Sequence, residues 1–400
     1  MKRSFNVTNK TFPLFSFFLF YLVSISPALA EFDPAKINAG GIEFIPVVGL
    51  SESYDSNILY TPDNEESSLI TVISPQLLIN KEIGVNNYSL EATAEIGQFA
   101  DSNDDNYVDS SVKAIIHQSF TRKANLDLEA YRLNEHESRG TGNSAGGNIG
   151  LTSPDEYHIN GFSGKFSYGS QEAIGNIVIK LFSNSRRYDT RRDVTNKRDQ
   201  DDVGGVATFF YHMMPKTSLL AEISHREISY ETNPDFNSFQ QRAFFGASWN
   251  ISAITKGTAK AGLLEKNFDD MDKGDVSAFS WELGARWTPL SYSVIDVLTS
   301  GKTEETNGAG DYIDSKVLRV QWIHFWNDRM NTTLNLNSSQ YDYKPSTRKD
   351  KLASFSIGII YNFKRWLDFG VSYSRSDNQS TVDNFDYQKN VFTLSLTAGL

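Results

Sequence analysis

Residues 279–287 read FSWELGARW, and the way these letters alternate decides the fold. Phe279, Trp281, Leu283, Ala285 and Trp287 fall on one parity, while Ser280, Glu282, Gly284 and Arg286 fall on the other. Side chains at i and i+2 share a face of a β-strand, so the segment has one apolar wall and one polar wall. Residues 89–96 (SLEATAEI) repeat the pattern, with Leu90, Ala92, Ala94 and Ile96 set against Ser89, Glu91, Thr93 and Glu95. Leu126, Leu128 and Ala130 oppose Asp127, Glu129 and Tyr131; Phe355, Ile357, Ile359, Tyr361 and Phe363 alternate with Ser354, Ser356, Gly358, Ile360 and Asn362. Period two runs nearly everywhere.

The connections alternate in length. Short turns fall near Gly84–Asn87, Arg122–Asn125, Gln171–Gly175, Pro215–Thr217, Thr255–Gly257, Pro289–Ser291, Asn327–Met330 and Lys364–Trp366. Between them lie longer polar stretches: Tyr60–Ser67, Asp101–Asn106, Arg139–Glu156, Thr190–Gln200, Asn233–Ser238, Asp269–Asp275, Gly301–Gly310, Lys344–Asp350 and Ser376–Asn384. This predicts an all-β chain: a transmembrane, antiparallel, up-and-down β-barrel of about 18 strands, with short periplasmic turns and long extracellular loops. Both termini then lie on the short-turn side. A β-propeller would need blades with apolar cores and a blade signature, and a soluble sandwich would need linkers; the sequence has none of these.

The ends carry separate messages. Residues 1–30 read as a secretory signal: Lys2, Arg3 and Lys10, then the apolar run Leu14–Ile25, then Ala28-Leu29-Ala30. Twelve apolar residues form a helix of about 18 Å, too short for a hydrocarbon core of roughly 30 Å. Residues 31–40 are then a short periplasmic lead and 41–400 the barrel. At the far end Phe392, Leu394, Leu396, Ala398 and Leu400 form an apolar row. In outer-membrane proteins, which this end resembles, such a strand is the signal for the barrel-assembly machinery; most end in Phe or Trp, from which Leu400 departs.

Composition agrees. Hydrophobic residues make up 39% and aromatics 13%, a poor inventory for a globular core but enough for one lipid-facing wall. Net charge moves from −11 to −14 when the signal is removed, which argues against nucleic-acid binding. There are no cysteines, so disulfides and thiolate metal sites are excluded. No cofactor is implied.

Aromatics recur where strands approach the short turns: Phe120, Tyr168, Tyr211, Trp249, Trp287, Trp322, Trp326, Phe363 and Trp366. They predict a girdle at the membrane–water interface, set against the general aromatic richness of strands. Glu91, Glu95, Glu129, Glu222, Lys260, Glu282, Arg286 and Arg319 lie opposite apolar rows and predict a wet lumen wall. Two readings of them stay open: an electrostatic filter for a solute, or a paired network that stiffens the interior. The acidic loops (Asp101, Asp104, Asp105, Asp109; Asp269, Asp270, Asp272, Asp275) read as solvated segments bridged to lipopolysaccharide, DDMDKGD lacking the closing Glu of a calcium loop. Arg186–Arg198 carries mixed charge, suited to an anionic glycan or to self-pairing. No HExxH, CxxC or Gly-x-Ser-x-Gly motif occurs, and His136 with Ser138 lacks the surrounding motif of an outer-membrane hydrolase. The chain is not read as an enzyme.

Several segments in order carry a family likeness: Phe44-Ile45-Pro46 through Ser53-Tyr54-Asp55-Ser56-Asn57-Ile58, then Ser74-Pro75-Gln76-Leu77, Asn106-Tyr107-Val108-Asp109, Arg187-Tyr188-Asp189, Arg198-Asp199-Gln200-Asp201, and Tyr211 through Met214-Pro215-Lys216-Thr217-Ser218 to Tyr230. Together they resemble the "putative β-barrel porin type 2" family, with Met214-Pro215 where that family has Ser-Pro. The resemblance implies a barrel that supports or conducts export of a surface polysaccharide, an exopolysaccharide or capsule of a biofilm matrix, with the glycan or its export machinery as partner. It assigns no binding or catalytic residue. A general or substrate-selective diffusion porin, and a non-conducting surface adhesion barrel, are the alternatives. Gly140–Gly150 is the loop most suited to fold inward.

Overall fold

In a computed structural model, residues 34–147, 151–170, 173–252, 254–306 and 309–399 are described. The proposed signal and Leu400 lie outside them. A short strand β1 (Ile37–Ala39) folds back on β2 (Ile42–Asp55). There follow β3 (Ser68–Ile83), β4 (Asn86–Phe99), β5 (Tyr107–Ser119), β6 (Ala124–Glu137), β7 (Asp155–Tyr168), β8 (Gly175–Tyr188), β9 (Gln200–Met214) and β10 (Thr217–Tyr230). The second half comprises β11 (Ser238–Ser252), β12 (Thr255–Phe268), β13 (Val276–Leu290), β14 (Ser293–Glu305), β15 (Tyr312–Asn327), β16 (Met330–Lys344), β17 (Lys349–Lys364), β18 (Leu367–Ser380) and β19 (Tyr387–Gly399). Each of β2 to β19 pairs antiparallel with its sequence neighbour, and β19 returns to β2 from Val391–Asp55 to Gly399–Val47. Closure leaves no strand of this ring without a neighbour on each side, the condition for crossing lipid. The chain is a closed antiparallel barrel of 18 strands.

Register carries one parity unbroken around the ring. Leu50 pairs with Ile73, Ile73 with Ile96, Ile96 with Val108, and at the seam Leu396 pairs with Leu50. This face is bare: Leu181 is 62% exposed, Ile223 65% and Phe245 74%. The opposite parity makes contacts that skip a strand, such as Tyr131 on β6 donating to Asn184 on β8 and Lys260 on β12 reaching Glu222 on β10. Such reach across a neighbour is possible on the concave side of a closed sheet. The polar wall therefore lines the lumen and the aliphatic wall meets lipid.

The alternation of turns holds, but three loops are shorter than expected. β14 continues through Glu305, β16 and β17 enclose only residues 345–348, and β18 runs on to Ser380. Polar residues that look like loop in the sequence extend these strands above the apolar band, where water replaces lipid on both faces.

Candidate lumen and mouth

All eight charged residues expected on the lumen wall have the inward parity. Lys260 Nζ lies 2.6 Å from Glu222 and 2.8 Å from Glu282, which also meets Arg242 at 3.4 Å. Arg286 pairs with Asp296 directly across the β13–β14 ladder through two bonds of 2.7 and 2.8 Å. Glu91 accepts from Gln76 at 2.9 Å, and Glu95 from the Tyr107 hydroxyl at 2.6 Å. Arg319 donates to Asn337 at 3.4 Å, and Glu129 sits beside Tyr131 and Lys180. On β9–β14 the paired-network arrangement dominates: charge there is largely matched by charge one or two strands away.

The girdle aromatics stand on the outer parity at the short-turn end, with Trp366 in the β17–β18 turn. Trp322 donates its indole N–H to Ser293 and Trp326 to Thr332, each at 2.8 Å, so the polar tips are satisfied while the rings face outward. Phe392, Leu394, Leu396 and Ala398 continue the outer wall beside Tyr54, Glu52, Leu50 and Val48.

The charge on the inner wall is unevenly placed. From β4 to β15 it carries the acids and bases just named, together with Arg226–Asp202 and Lys165–Asp127. From β16 through β19 to β3 it carries instead Asn335, Asn337, Ser354, Ser356, Ser372, Ser374, Thr393, Ser395, Ser51, Ser53, Ser74 and Gln76, interspersed on β2 and β3 with Ile45, Val47, Ile70, Val72 and Leu78. Among the described residues, charge on this arc lies near its two ends, at Asp350, Lys389 and Asp55 above and Asp368, Glu43 and Glu82 below. Most of these small side chains are half-exposed, so the wall faces open space rather than a packed core.

Sequence reading missed how the upper lumen is built. Tyr131, Tyr157 and Tyr188 converge from β6, β7 and β8 around Ile159. Lys266 is 0% exposed and paired with Glu305 at 2.6 Å, while Gln240 donates to the carbonyl of Thr303. β13 and β14 are paired only up to Trp281–Gly301, and above it β14 tucks inside β10–β12. Alternation predicts that Tyr131 faces inward. It carries no information about which inward residues of distant strands meet.

The mouth is tied by loops. The β6–β7 loop reaches the β2–β3 loop, where a Cβ on Gly140 (φ +79°) would collide with the Leu59 carbonyl, and the β18–β19 loop, where Gly146 lies on the Phe385 ring. Arg139 binds Asp105, whose hydrogen bonds raise the guanidinium pKa above its usual value; Arg198 binds Glu137. Arg192 pairs within its own loop with Asp199, whereas Arg191 pairs with Asp155 of β7 and Arg187 with Asp201 of β9, so the cations of Arg186–Arg198 are held largely by acids of neighbouring strands. In DDMDKGD, Asp270 accepts from the Asp272 amide and Lys273 pairs with Asp311. His136 Nε2 lies 3.3 Å from Ser138 Oγ and its Nδ1 2.9 Å from Asp109. The same constellation recurs at Ser119, His117 and Asp127, where Lys165 also occupies the acid. A His-x-Ser strand beside an Asp makes this geometry, and geometry of that kind alone does not license chemistry.

Closure, an apolar outer band and a wet, charged lumen define an outer-membrane β-barrel of the porin-like class. The family described as "Putative beta-barrel porin 2" matches residues 30–400, and the chain belongs to it. Among solved structures, the outer membrane protein OpdK of Pseudomonas aeruginosa is similar at 10% identity and a TM-score of 0.49, over 89% of this chain and 99% of that one. OccAB3 of Acinetobacter baumannii gives 11%, 0.47, 89% and 99%. The FrpB iron transporter of Neisseria meningitidis gives 10% and 0.46, over 84% of this chain, which spans only 62% of that longer one. No curated protein matches the sequence significantly. The fold rests on the strand register, independently of these likenesses.

Proposed function

We propose that the protein is a diffusion porin for small hydrophilic solutes. The observation that carries this reading is the half-exposed hydroxyl and amide stretch at mid-height on β16–β19, facing a wall whose charges are largely compensated. Such a lumen holds water and offers a permeant hydrogen bonds without a deep electrostatic trap, as conduction requires sites that bind weakly enough to release. In this reading the β6–β7 loop, which reaches the β2–β3 and β18–β19 loops, sets the size limit.

Export of a surface polysaccharide, the role implied by the family resemblance, draws no support from any residue or contact described above. The passive conduit therefore stands ahead of it, and ahead of an adhesion role for the loops. Purified protein in planar bilayers should give steady conductance with weak ion preference, and liposomes should swell in small sugars. A barrel that stays silent in both assays overturns the proposal. Loss of surface glycan on gene deletion, with conductance absent, would favour export.

A further inference from the structure

We infer that the outer wall over β15–β18 is a binding site for a phosphate-bearing lipid of the outer leaflet, the lipid A moiety of lipopolysaccharide. A depression of about 410 Å³ opens there on the lipid-facing side. Its floor is Ser338 and Ala353, paired across β16 and β17, and its walls include Leu318, Leu336 and Phe355. Two small residues side by side, between large apolar neighbours, leave a trough as wide as two strands. Water would fill such a trough on a soluble protein; in a bilayer an acyl chain fills it.

The head of the trough is charged. Arg375 and Asp377 line it. Lys316 and Lys351, both exposed, stand one outward step above Leu318 and Ala353, and Arg375 one step above Tyr373. Lys316 and Lys351 thus share one ladder row through Gln340 on the long-loop side of the barrel, and Arg375, opposite Phe355, lies two outward steps nearer the trough with Asp377 between. This is the level at which outer-leaflet phosphates lie, and each cation near an anionic surface contributes attraction. Arg375 is steadied by donating to Gln388 at 3.0 Å. Asp377 is the one carboxylate at the trough itself; further up, Asp314 and Asp342 flank the patch and leave the lip itself cationic. Elsewhere the outward charges on this side are Glu52, Glu227 and Glu265, with Arg132 as a cation and Arg187 higher up, already paired with Asp201 and Glu231, so the unmatched basic cluster belongs to this arc. A phosphate over the cations with its chain in the trough satisfies both halves of the feature at once.

The inference rests on the outer-membrane barrel and not on solute conduction, and the test separates them. The refolded barrel in phosphatidylcholine nanodiscs is titrated with lipid A, and bound lipid is counted by native mass spectrometry. Wild type should retain lipid A, and Lys316→Gln/Lys351→Gln/Arg375→Gln should weaken retention roughly tenfold or more. Ala353→Trp, which fills the trough without touching charge, should also weaken it, while Arg132→Gln should not. Dephosphorylated lipid A should bind wild type no better than the triple variant. Heat-modifiable electrophoretic mobility confirms folding of each variant, and bilayer conductance should be unchanged throughout. Equal retention by wild type and the triple variant, or an equal loss with Arg132→Gln, overturns the site. Phosphatidylglycerol competing as well as lipid A would also overturn it, reducing the patch to general attraction for anionic lipid.

Discussion

The two arcs of the inner wall solve one problem differently. Both face the lumen, yet β4–β15 uses ions and β16–β3 uses Ser, Thr, Asn and Gln with aliphatic side chains among them on β2 and β3. On the charged arc each group depends on a partner: Lys260 sits between Glu222 and Glu282, and removing it strands Glu222 and leaves Glu282 only its longer contact with Arg242. On the neutral arc a side chain such as Ser356 holds a single hydrogen bond, from Asn335 at 3.0 Å. The difference teaches that the charged wall is a cooperative network while the neutral wall is a set of independent positions. Substitutions should therefore be expensive on one and tolerated on the other.

The sharpest break in that comparison is Lys260→Met. It should destabilise the barrel by about 3 kcal/mol, because Glu222 loses its cation and Glu282 keeps only the longer contact with Arg242. Adding Glu222→Gln and Glu282→Gln should recover most of the loss, as read by urea unfolding in lipid vesicles; additive losses would mean the network is not coupled. Ile357→Arg and Ser356→Arg then test parity at adjacent positions. The first puts a cation in lipid and should cost about 2–3 kcal/mol; the second puts it in the lumen and should cost under about 1 kcal/mol. Equal costs would contradict the assignment of faces. Gly140→Val attacks the mouth instead. Its Cβ meets the Leu59 carbonyl at a positive φ, so about 1–3 kcal/mol of strain falls on the loop, and single-channel conductance should rise as the loop lifts. The smallest effect is on selectivity. Ser356→Arg adds an uncompensated charge to the neutral arc and should shift reversal potentials towards anions by roughly twofold in permeability ratio. Arg319→Gln, at the border between the arcs, should shift them slightly the other way.

Much of this was legible beforehand, residue by residue. FSWELGARW assigned Trp281 and Trp287 to one wall and Glu282 and Arg286 to the other, and the register places them so. The turns near Pro215–Thr217 and Lys364–Trp366 fall between paired strands as read. Gly301–Gly310 looks like one long loop in sequence, yet Lys302–Glu305, although polar, extends β14. The pairing of Lys266 with Glu305, 39 residues apart, left no trace in the alternation.

Sequence alone determined which face each strand turns to lipid, since a period of two is a local property of the extended backbone and the solvent on each side selects the residue type. It also determined the order of strands, because short connections join only neighbours. Tertiary structure alone decided which inward charges meet, where the sheet overlaps itself above Trp281–Gly301, and which loops span the mouth. Those contacts join strands that are distant in the chain and are set by barrel curvature and stagger, quantities that arise only when the eighteenth strand closes on the first.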